Sequence, residues 1–326
     1  MDRSAKNRIQ PPPASGARLN WEQVPARVRT GIEALLGSPV VTAVTQPGGF
    51  SPGAACRLKL KDGRRAFVKA IGPEPNPSSP AFHRREAVIS RAMPPGVPVP
   101  RFIGSHDEGE GGWVALAFED IEGRSPRQPW DADELDRVVR ACVRLSDALT
   151  PSPLPAGTAR EASRLFADSI CGWRRLAAAP HDGLDSWSAR NLQRLARLEE
   201  EAPAAVQGNT LIHMDIRADN VLLTGRRVYF VDWPHAAVGA AWVDLVAFAP
   251  SVAMQGGPDP EDLLSTHGAA RAADRDAVTA AIAALAGFFT AQSLLPPPPG
   301  LPGLRAFQAA QGIEARKWVA ARTGWK

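Results

Sequence analysis

Thiols are scarce in this sequence. Its 326 residues hold three cysteines, Cys56, Cys142 and Cys171, with no CxxC pair among them. An odd, scattered set argues against a disulfide framework and a zinc–thiolate centre, and fits a reducing compartment. Long hydrophobic runs are also missing. The longest apolar stretch, AVTAAIAALAGFF over 277–289, has 13 residues. That is too short to span a bilayer, and its alanine-rich texture predicts a buried helix. No dense Lys/Arg stripe interleaved with aromatics occurs, which disfavours a dedicated DNA binder. No G-x-x-x-x-G-K-[ST] occurs either, which disfavours a P-loop nucleotidase. The stretch MDRSAKNRIQPPPASG carries charges but no apolar core of a secretory signal. No internal repeat is evident. A soluble cytoplasmic protein is expected, with no nucleic-acid, membrane or protein partner implied.

What is present is a chain that is 44% apolar, with a net charge of +4. The length suits two domains, or one domain with two lobes. The mild positive charge gives weak support to an anionic small partner such as a nucleotide. Residues 1–18, with three consecutive prolines, read as a disordered leader. WEQVPARVRTGIEALLG (21–37) has helical spacing, with Val24, Val28, Ile32 and Leu35 on one face. VVTAVTQ (40–46), CRLKL (56–60), RAFVKAI (65–71) and WVALAFE (113–119) are short and bounded by Gly and Pro, and they predict antiparallel strands. The helical stretch PAFHRREAVISRAM (80–93) interrupts them.

From about 130 the pattern is mainly helical: 133–149, 188–202, and around 241–250, 274–294 and 303–322. The glutamate run at 199–201 reads as a solvated face. PPPPG at 296–300 reads as a stiff connector. The expectation is an α+β chain: a nucleotide-lobe-sized sheet region over 19–120, then a larger mainly α lobe over 121–326.

The chemistry concentrates in LIHMDIRADN (211–220), which places a histidine, two aspartates, an arginine and an asparagine within eight residues. A metal site is one reading, since His213 and Asp215 share a face of an extended segment. Zinc needs three or four ligands, however, and no second histidine falls at useful spacing. A polar turn that satisfies its own backbone is a second reading. The third uses RRVYFVDW (226–233), a predicted strand ending in Asp232, twelve residues past Asn220. An Asp, an Asn five residues later and an Asp at a strand end recur in phosphoryl transfer from ATP. There the first handles the proton of the attacking hydroxyl, and the other two offer hard oxygen ligands to Mg²⁺.

HMDIRADN together with VDW resembles the H-x-D-x-x-x-x-N and D-F-G elements of the protein-kinase-like fold, and is most similar to the aminoglycoside phosphotransferase family. Met214 stands where protein kinases carry Arg, and no APE element follows Asp232. The resemblance implies a two-lobed fold: a small antiparallel β lobe with one helix, and a larger mainly α lobe. It implies Asp215 as the catalytic group, Asn220 and Asp232 as Mg²⁺ ligands, His213 as a loop brace, and Asp244 of AAWVDLVAFA (240–249) as a hydrogen-bonded support. Upstream it assigns QPGGFSPGAACRL (46–58), with Ser51 and Gly53, to a phosphate-covering loop. The spacing there departs from G-x-G-x-x-G, because Phe50 replaces the middle glycine, and a plain hairpin loop is the competing reading. Lys69 would meet the α/β-phosphates and pair with Glu86, and Phe67 would border the adenine. The segment LAFEDIEGRSP (116–126) would bind adenine around Glu119 and Ile121.

Arg217 is the candidate to neutralise the transferred phosphoryl group, with a salt bridge to Asp219 as the alternative. The acceptor is expected to be a small hydroxylated molecule, an aminoglycoside-type or other antibiotic. The alternatives are a choline-, homoserine- or methylthioribose-type metabolite kinase, or a non-catalytic nucleotide-binding pseudokinase. Acidic candidates for gripping a polycation are Glu161, Asp168, Asp259, Glu261, Asp262 and Glu314.

Overall fold

The computed structural model describes residues 18–265 and 268–326. The expected leader therefore lies outside the described residues, except for Arg18, which stands in a short strand, β1 (Arg18–Leu19). A 3-10 turn and helix α1 (Ala26–Leu36) follow. The helix starts later than its apolar pattern because Pro25 takes the N-cap position. It buries Val28, Ile32 and Leu36, while Leu35 is only half-buried.

The small lobe is a sheet of β1, β2 (Val40–Thr45), β3 (Gly53–Leu60), β4 (Arg65–Ile71), β5 (Phe102–Asp107) and β6 (Val114–Phe118). Its order is β1-β3-β4-β6-β5, with β2 also on β3. All pairings are antiparallel except β1 with β3. Strand β5 is unpredicted: FIGSHD carries a glycine and three polar residues, and it pairs only at the sheet edge.

Period-two alternation sorts the side chains of this sheet. Cys56, Leu58, Leu60, Ala66, Val68, Ala70, Ala115 and Ala117 pack on Val28 and Ile32 of α1. The opposite face carries Phe67, Leu116 and Phe118 toward Ala87 of α2 (Ser79–Arg91). Lys69 lies in register with Leu116, so it emerges on that second face.

The large lobe contains α3 (Ala132–Ala148), β7 (Arg160–Glu161), α4 (Ala162–Asp168), α5 (Gly172–Ala178), α6 (Ser186–Ala205), β8 (Thr210–Ile212), β9 (Val221–Leu223), β10 (Val228–Phe230), β11 (Ala237–Gly239), α7 (Val243–Met254), α8 (Pro260–Leu264), α9 (Gly268–Ala272), α10 (Arg275–Ser293) and α11 (Leu304–Thr323). Helix α10 holds the 277–289 stretch and is buried on nearly every side, as its all-round apolar pattern requires. It packs on α5, α6, α7 and α11. Helix α5 comes so close that a Cβ at Gly172 would stand 1.9 Å from the carbonyl oxygen of Gly287.

One expectation is corrected here. Glu199 does not belong to a solvated face; it is fully buried, and only Glu200 and Glu201 are exposed. Its carboxylate accepts from the backbone N–H groups of Trp173 and Arg174 at 3.1 and 2.9 Å, capping the N-terminus of α5. No helix among the described residues is long and apolar enough to cross a membrane.

Candidate active site

A cleft of about 450 Å³ opens between the lobes. Gly48, Gly49 and Ser51 line it from the β2–β3 loop, Phe67 and Lys69 from β4, and Glu86 from α2. Glu119 and Ile121 line it at the connection between the lobes, and Asn220 and Asp232 line it from the large lobe. Gly53 does not. It opens β3 opposite Arg18 at φ 122, where a Cβ would stand 2.6 Å from Ala70 O. Its need is close backbone approach within the sheet.

Lys69 is the junction of the site. Its Nζ donates to Glu86 Oε1 at 2.8 Å and Oε2 at 3.0 Å, and to Asp232 Oδ1 at 2.8 Å. Burial opposes the charge on Lys69, but the two carboxylates outweigh it and raise its pKa. Burial would also raise the Asp232 carboxyl, yet the ammonium beside it holds that group well below the usual carboxylate range. The Trp233 N–H donates to Glu86 Oε1 at 3.4 Å. A strand, a helix and a loop thus meet at one ammonium group.

The 213–220 segment is held from behind. Asp244, in the first turn of α7, accepts from His213 N–H and Met214 N–H, both at 2.8 Å. Met214 has φ 65, a left-handed conformation that brings these adjacent N–H groups onto one carboxylate. Asp232 has φ 72. Non-glycine residues in this region store strain that the surrounding contacts must hold. His213 is fully buried. Its Nδ1 accepts from Asp215 N–H at 3.2 Å, which leaves Nε2 to donate to Val231 O at 3.0 Å. Burial lowers its pKa to about 4, so the ring is neutral. Burial also raises Asp244, to about 6, against the pull of the two N–H groups.

Asp215 and Arg217 do not line the cleft; they join it through Asn220 and Asp219, which do. Asn220 Nδ2 donates to Asp215 O at 2.8 Å and Asp215 Oδ2 at 3.1 Å. Burial raises the Asp215 pKa, and Arg217 opposes the shift. Arg217 donates Nη1 to Asp215 Oδ1, and grips Asp219 through Nε at 3.0 Å and Nη2 at 2.9 Å. Asp219 is thus an ion-pair partner of Arg217, the alternative that the sequence left open. The Arg217 guanidinium also sits 5.5 Å from the ring centre of Phe50 and 5.6 Å from that of Phe307. The two rings meet edge-on at 5.0 Å. Phe307 in α11 carried no signal in the sequence, since 87 residues of chain separate it from Asn220. Arg18 was also missed. It donates to Gly48 O and, at 2.6 Å, to Ser51 O, and so holds the β2–β3 loop.

The oxygens left over are hard donors. Asn220 uses its amide nitrogen on Asp215, so its carbonyl oxygen is the group it can offer to the cleft. Asp232 offers Oδ2. This set suits a small hard cation that keeps most of its water, and among the described residues no cluster of three His, Cys, Asp or Glu offers a fuller metal cage.

The sequence model of the phosphotransferase enzyme family matches residues 47–281. No curated protein matches the sequence. Among solved structures, the chain is similar to a thermostable mutant of the aminoglycoside phosphotransferase APH(4)-Ia, solved with AMP-PNP and hygromycin B. The identity is 16%, over 91% of this chain and 99% of that one, with a TM-score of 0.61. It is similar to an aminoglycoside-3'-phosphotransferase of type VIII at 23% identity, over 81% of this chain and 100% of that one, with a TM-score of 0.53. Choline kinase LicA from Streptococcus pneumoniae gives 15% identity, 89% and 98% coverage and a TM-score of 0.57. These likenesses show the fold, and the family match spans both lobes and the site between them. The chain therefore belongs to the phosphotransferase enzyme family and is an enzyme of phosphoryl transfer to an alcohol group, built on the protein-kinase-like fold.

Proposed function

We propose that this enzyme moves the γ-phosphoryl group of ATP to a hydroxyl of a small molecule, an aminoglycoside-type or other hydroxylated antibiotic, in the cytoplasm. The observation that carries the reading is a pair of hydrogen-bonded sets, Lys69 with Glu86 and Asp232, and Asn220 with Asp215, whose Lys69, Glu86, Asp232 and Asn220 line one interlobe cleft. Each residue type suits its place. Asp215 accepts the proton of the attacking hydroxyl, and its raised pKa makes it a better acceptor than an ordinary carboxylate. Lys69, fixed by two carboxylates, presents a positive charge to phosphate oxygens. Asn220 and Asp232 would hold Mg²⁺, which supplies charge neutralisation for the phosphates when bound.

The adenine edge fits the connection between the lobes. Glu119 N–H is taken by Arg101 O, and Ile121 O accepts from Gly123 N–H and Arg57. The carbonyl of Glu119 and the N–H of Ile121 have no hydrogen-bond partner among the described residues, and both residues line the cleft. One acceptor and one donor are what an adenine edge requires.

For a polycationic acceptor, the proposed acidic residues now divide. Glu261 is occupied by Arg322 and Trp318, and Glu314 by Lys317. Glu161, Asp168, Asp259 and Asp262 are exposed, with no ion pair among the described residues. The test is a panel of aminoglycosides, other hydroxylated antibiotics, choline, homoserine and methylthioribose, incubated with ATP or GTP and Mg²⁺ and read by mass spectrometry. The reading expects a phosphoryl gain on an antibiotic. A gain on choline or homoserine alone would replace it with a metabolite kinase, and nucleotide binding without any product would replace it with a pseudokinase.

A further inference from the structure

His83 lies on α2, three residues before Glu86, so the two side chains share a helix face. It lines the interlobe cleft with Lys69, Glu86 and Asp232. The residue is 6% exposed, yet neither ring nitrogen has a hydrogen-bond partner among the described residues. Among the described residues, the sealed nitrogens without a hydrogen-bond partner are His106 Nε2 and Arg174 Nε. Those of His83 are not sealed, because the ring borders open space. Buried polar groups are nearly always hydrogen-bonded, to protein or to water, so a buried imidazole whose nitrogens the protein leaves unused and which borders an open cleft is placed to bond what enters that cleft.

The surroundings identify the chemistry of that partner. Lys69, Asp232 and Arg18 are the charged groups that act on the ring. Arg18 holds the carbonyls of Gly48 and Ser51, so its guanidinium marks the glycine-rich loop that also borders the cleft. His83 therefore lines the same cleft as a lysine, an arginine and the glycines of the loop. On the proposed reading, Lys69 and the glycine-rich loop mark the polyphosphate side of that cleft, and the connection at Glu119 and Ile121 marks the adenine side. Burial, reinforced by Lys69, lowers the ring's pKa to about 3 and keeps it neutral. A neutral ring carries one N–H donor and adds no charge to a site already crowded with ions.

We propose that His83 is a nucleotide-binding residue that donates its ring N–H to a phosphate oxygen of the bound nucleoside polyphosphate. The proposal rests on the reading of the cleft as a nucleotide site. It assigns a role to a side chain that neither the Lys69–Glu86 pair nor the Asp215–Asn220–Asp232 set uses.

The test is calorimetric binding of ATP, ADP and adenosine, with Mg²⁺, to the full chain and to His83→Leu, His83→Gln and His83→Asn. The amide variants place an N–H near the reach of Nε2 and Nδ1 respectively. A hydrogen bond to a charged partner predicts that His83→Leu weakens ATP and ADP roughly tenfold. Adenosine affinity, which reports the integrity of the cleft, stays unchanged, and at least one amide variant recovers most of the loss. Equal weakening of ATP and adenosine, or no weakening at all, overturns the proposal. Lys69→Ala separates the two levels. If it loses ATP while His83→Leu keeps it, the nucleotide cleft stands and the role of His83 falls. If the unaltered chain binds no nucleotide, both fall together.

Discussion

At the scale of single residues, the site is a set of charges that hold one another in place. Arg217 is the clearest case. The sequence offered it either to the transferred phosphoryl group or to Asp219, and the structure commits its guanidinium to both Asp215 and Asp219. Its proximity lowers the Asp215 pKa against the rise that burial imposes. Arg217→Ala removes that opposition, so the Asp215 pKa climbs further and the base is ionised only at higher pH. The acidic limb of the kcat–pH profile should move upward by roughly 1–3 pH units, the usual span for an Arg–Asp contact. An unmoved limb would separate Arg217 from the base.

Lys69→Met leaves Glu86, 2% exposed, without its partner. Removing one member of a buried pair destabilises by roughly 3–5 kcal/mol. Urea denaturation should show this, with part of it recovered in Lys69→Met/Glu86→Gln. Asp215, Asn220 and Asp232 are proposed from the sequence because phosphoryl transfer uses those types in that order, and the structure bonds Asn220 to Asp215 and sets Asn220 and Asp232 in the cleft lining. The Arg217–Asp219 grip was legible only as an option, because two-residue spacing does not say which way a long side chain turns.

At the scale of elements, α5 shows what local sequence cannot reveal. Its seven residues are too few for a helical period to register, and its cap comes from Glu199 on α6, 26 residues away from Trp173. A glutamate in the run EEE reads as solvent-facing unless the partner N–H groups are known. Strand β5 was missed for a related reason: edge pairing with β6 outweighs the weak strand propensity of Gly104, Ser105 and Asp107. The strands β2, β3, β4 and β6 were legible because short β-branched or aromatic runs stand between Gly and Pro turn signals in the sequence itself.

Glu199 also yields a prediction about pH. Burial raises its pKa from 4.5 to about 7. A carboxyl whose folded pKa exceeds its unfolded one binds protons more readily in the fold, so its contribution is most favourable below about 4.5 and is lost as pH rises to about 7. Glu199→Gln cannot ionise. The stability of the unaltered chain relative to this variant should therefore fall between those pH values in chemical denaturation. A difference that is flat with pH would show that the N–H groups of Trp173 and Arg174 hold the carboxylate ionised.

At the scale of the whole molecule, the two lobes meet through a few side chains, some of which belong to the proposed site. Lys69 of the sheet bonds Asp232 of the large lobe, and Phe50 of the glycine-rich loop meets Phe307 of α11 over Arg217. A further touch joins the 296–303 connector to the small lobe, where a Cβ on Gly300 would stand 3.0 Å from Pro75 and 3.2 Å from Pro52. The fold was legible because the 46–58 loop, Lys69, Glu86, HMDIRADN and VDW occur in a fixed order. The contacts from α11 were not, because a helix pattern does not say which surface the helix will cover. The identity of the acceptor is the least legible feature, since recognition of a small molecule depends on exposed side chains whose neighbours are set by packing. The central claim, that Asp215 handles the acceptor hydroxyl in a nucleotide-loaded cleft, is tested most directly by single-turnover phosphoryl transfer from Mg²⁺–ATP to the best acceptor. Asp215→Asn is compared with the unaltered chain, and nucleotide affinity is measured on both. The account predicts a rate lower by roughly 10²–10⁴-fold for the variant, with nucleotide affinity preserved. Equal rates at equal affinity would contradict it.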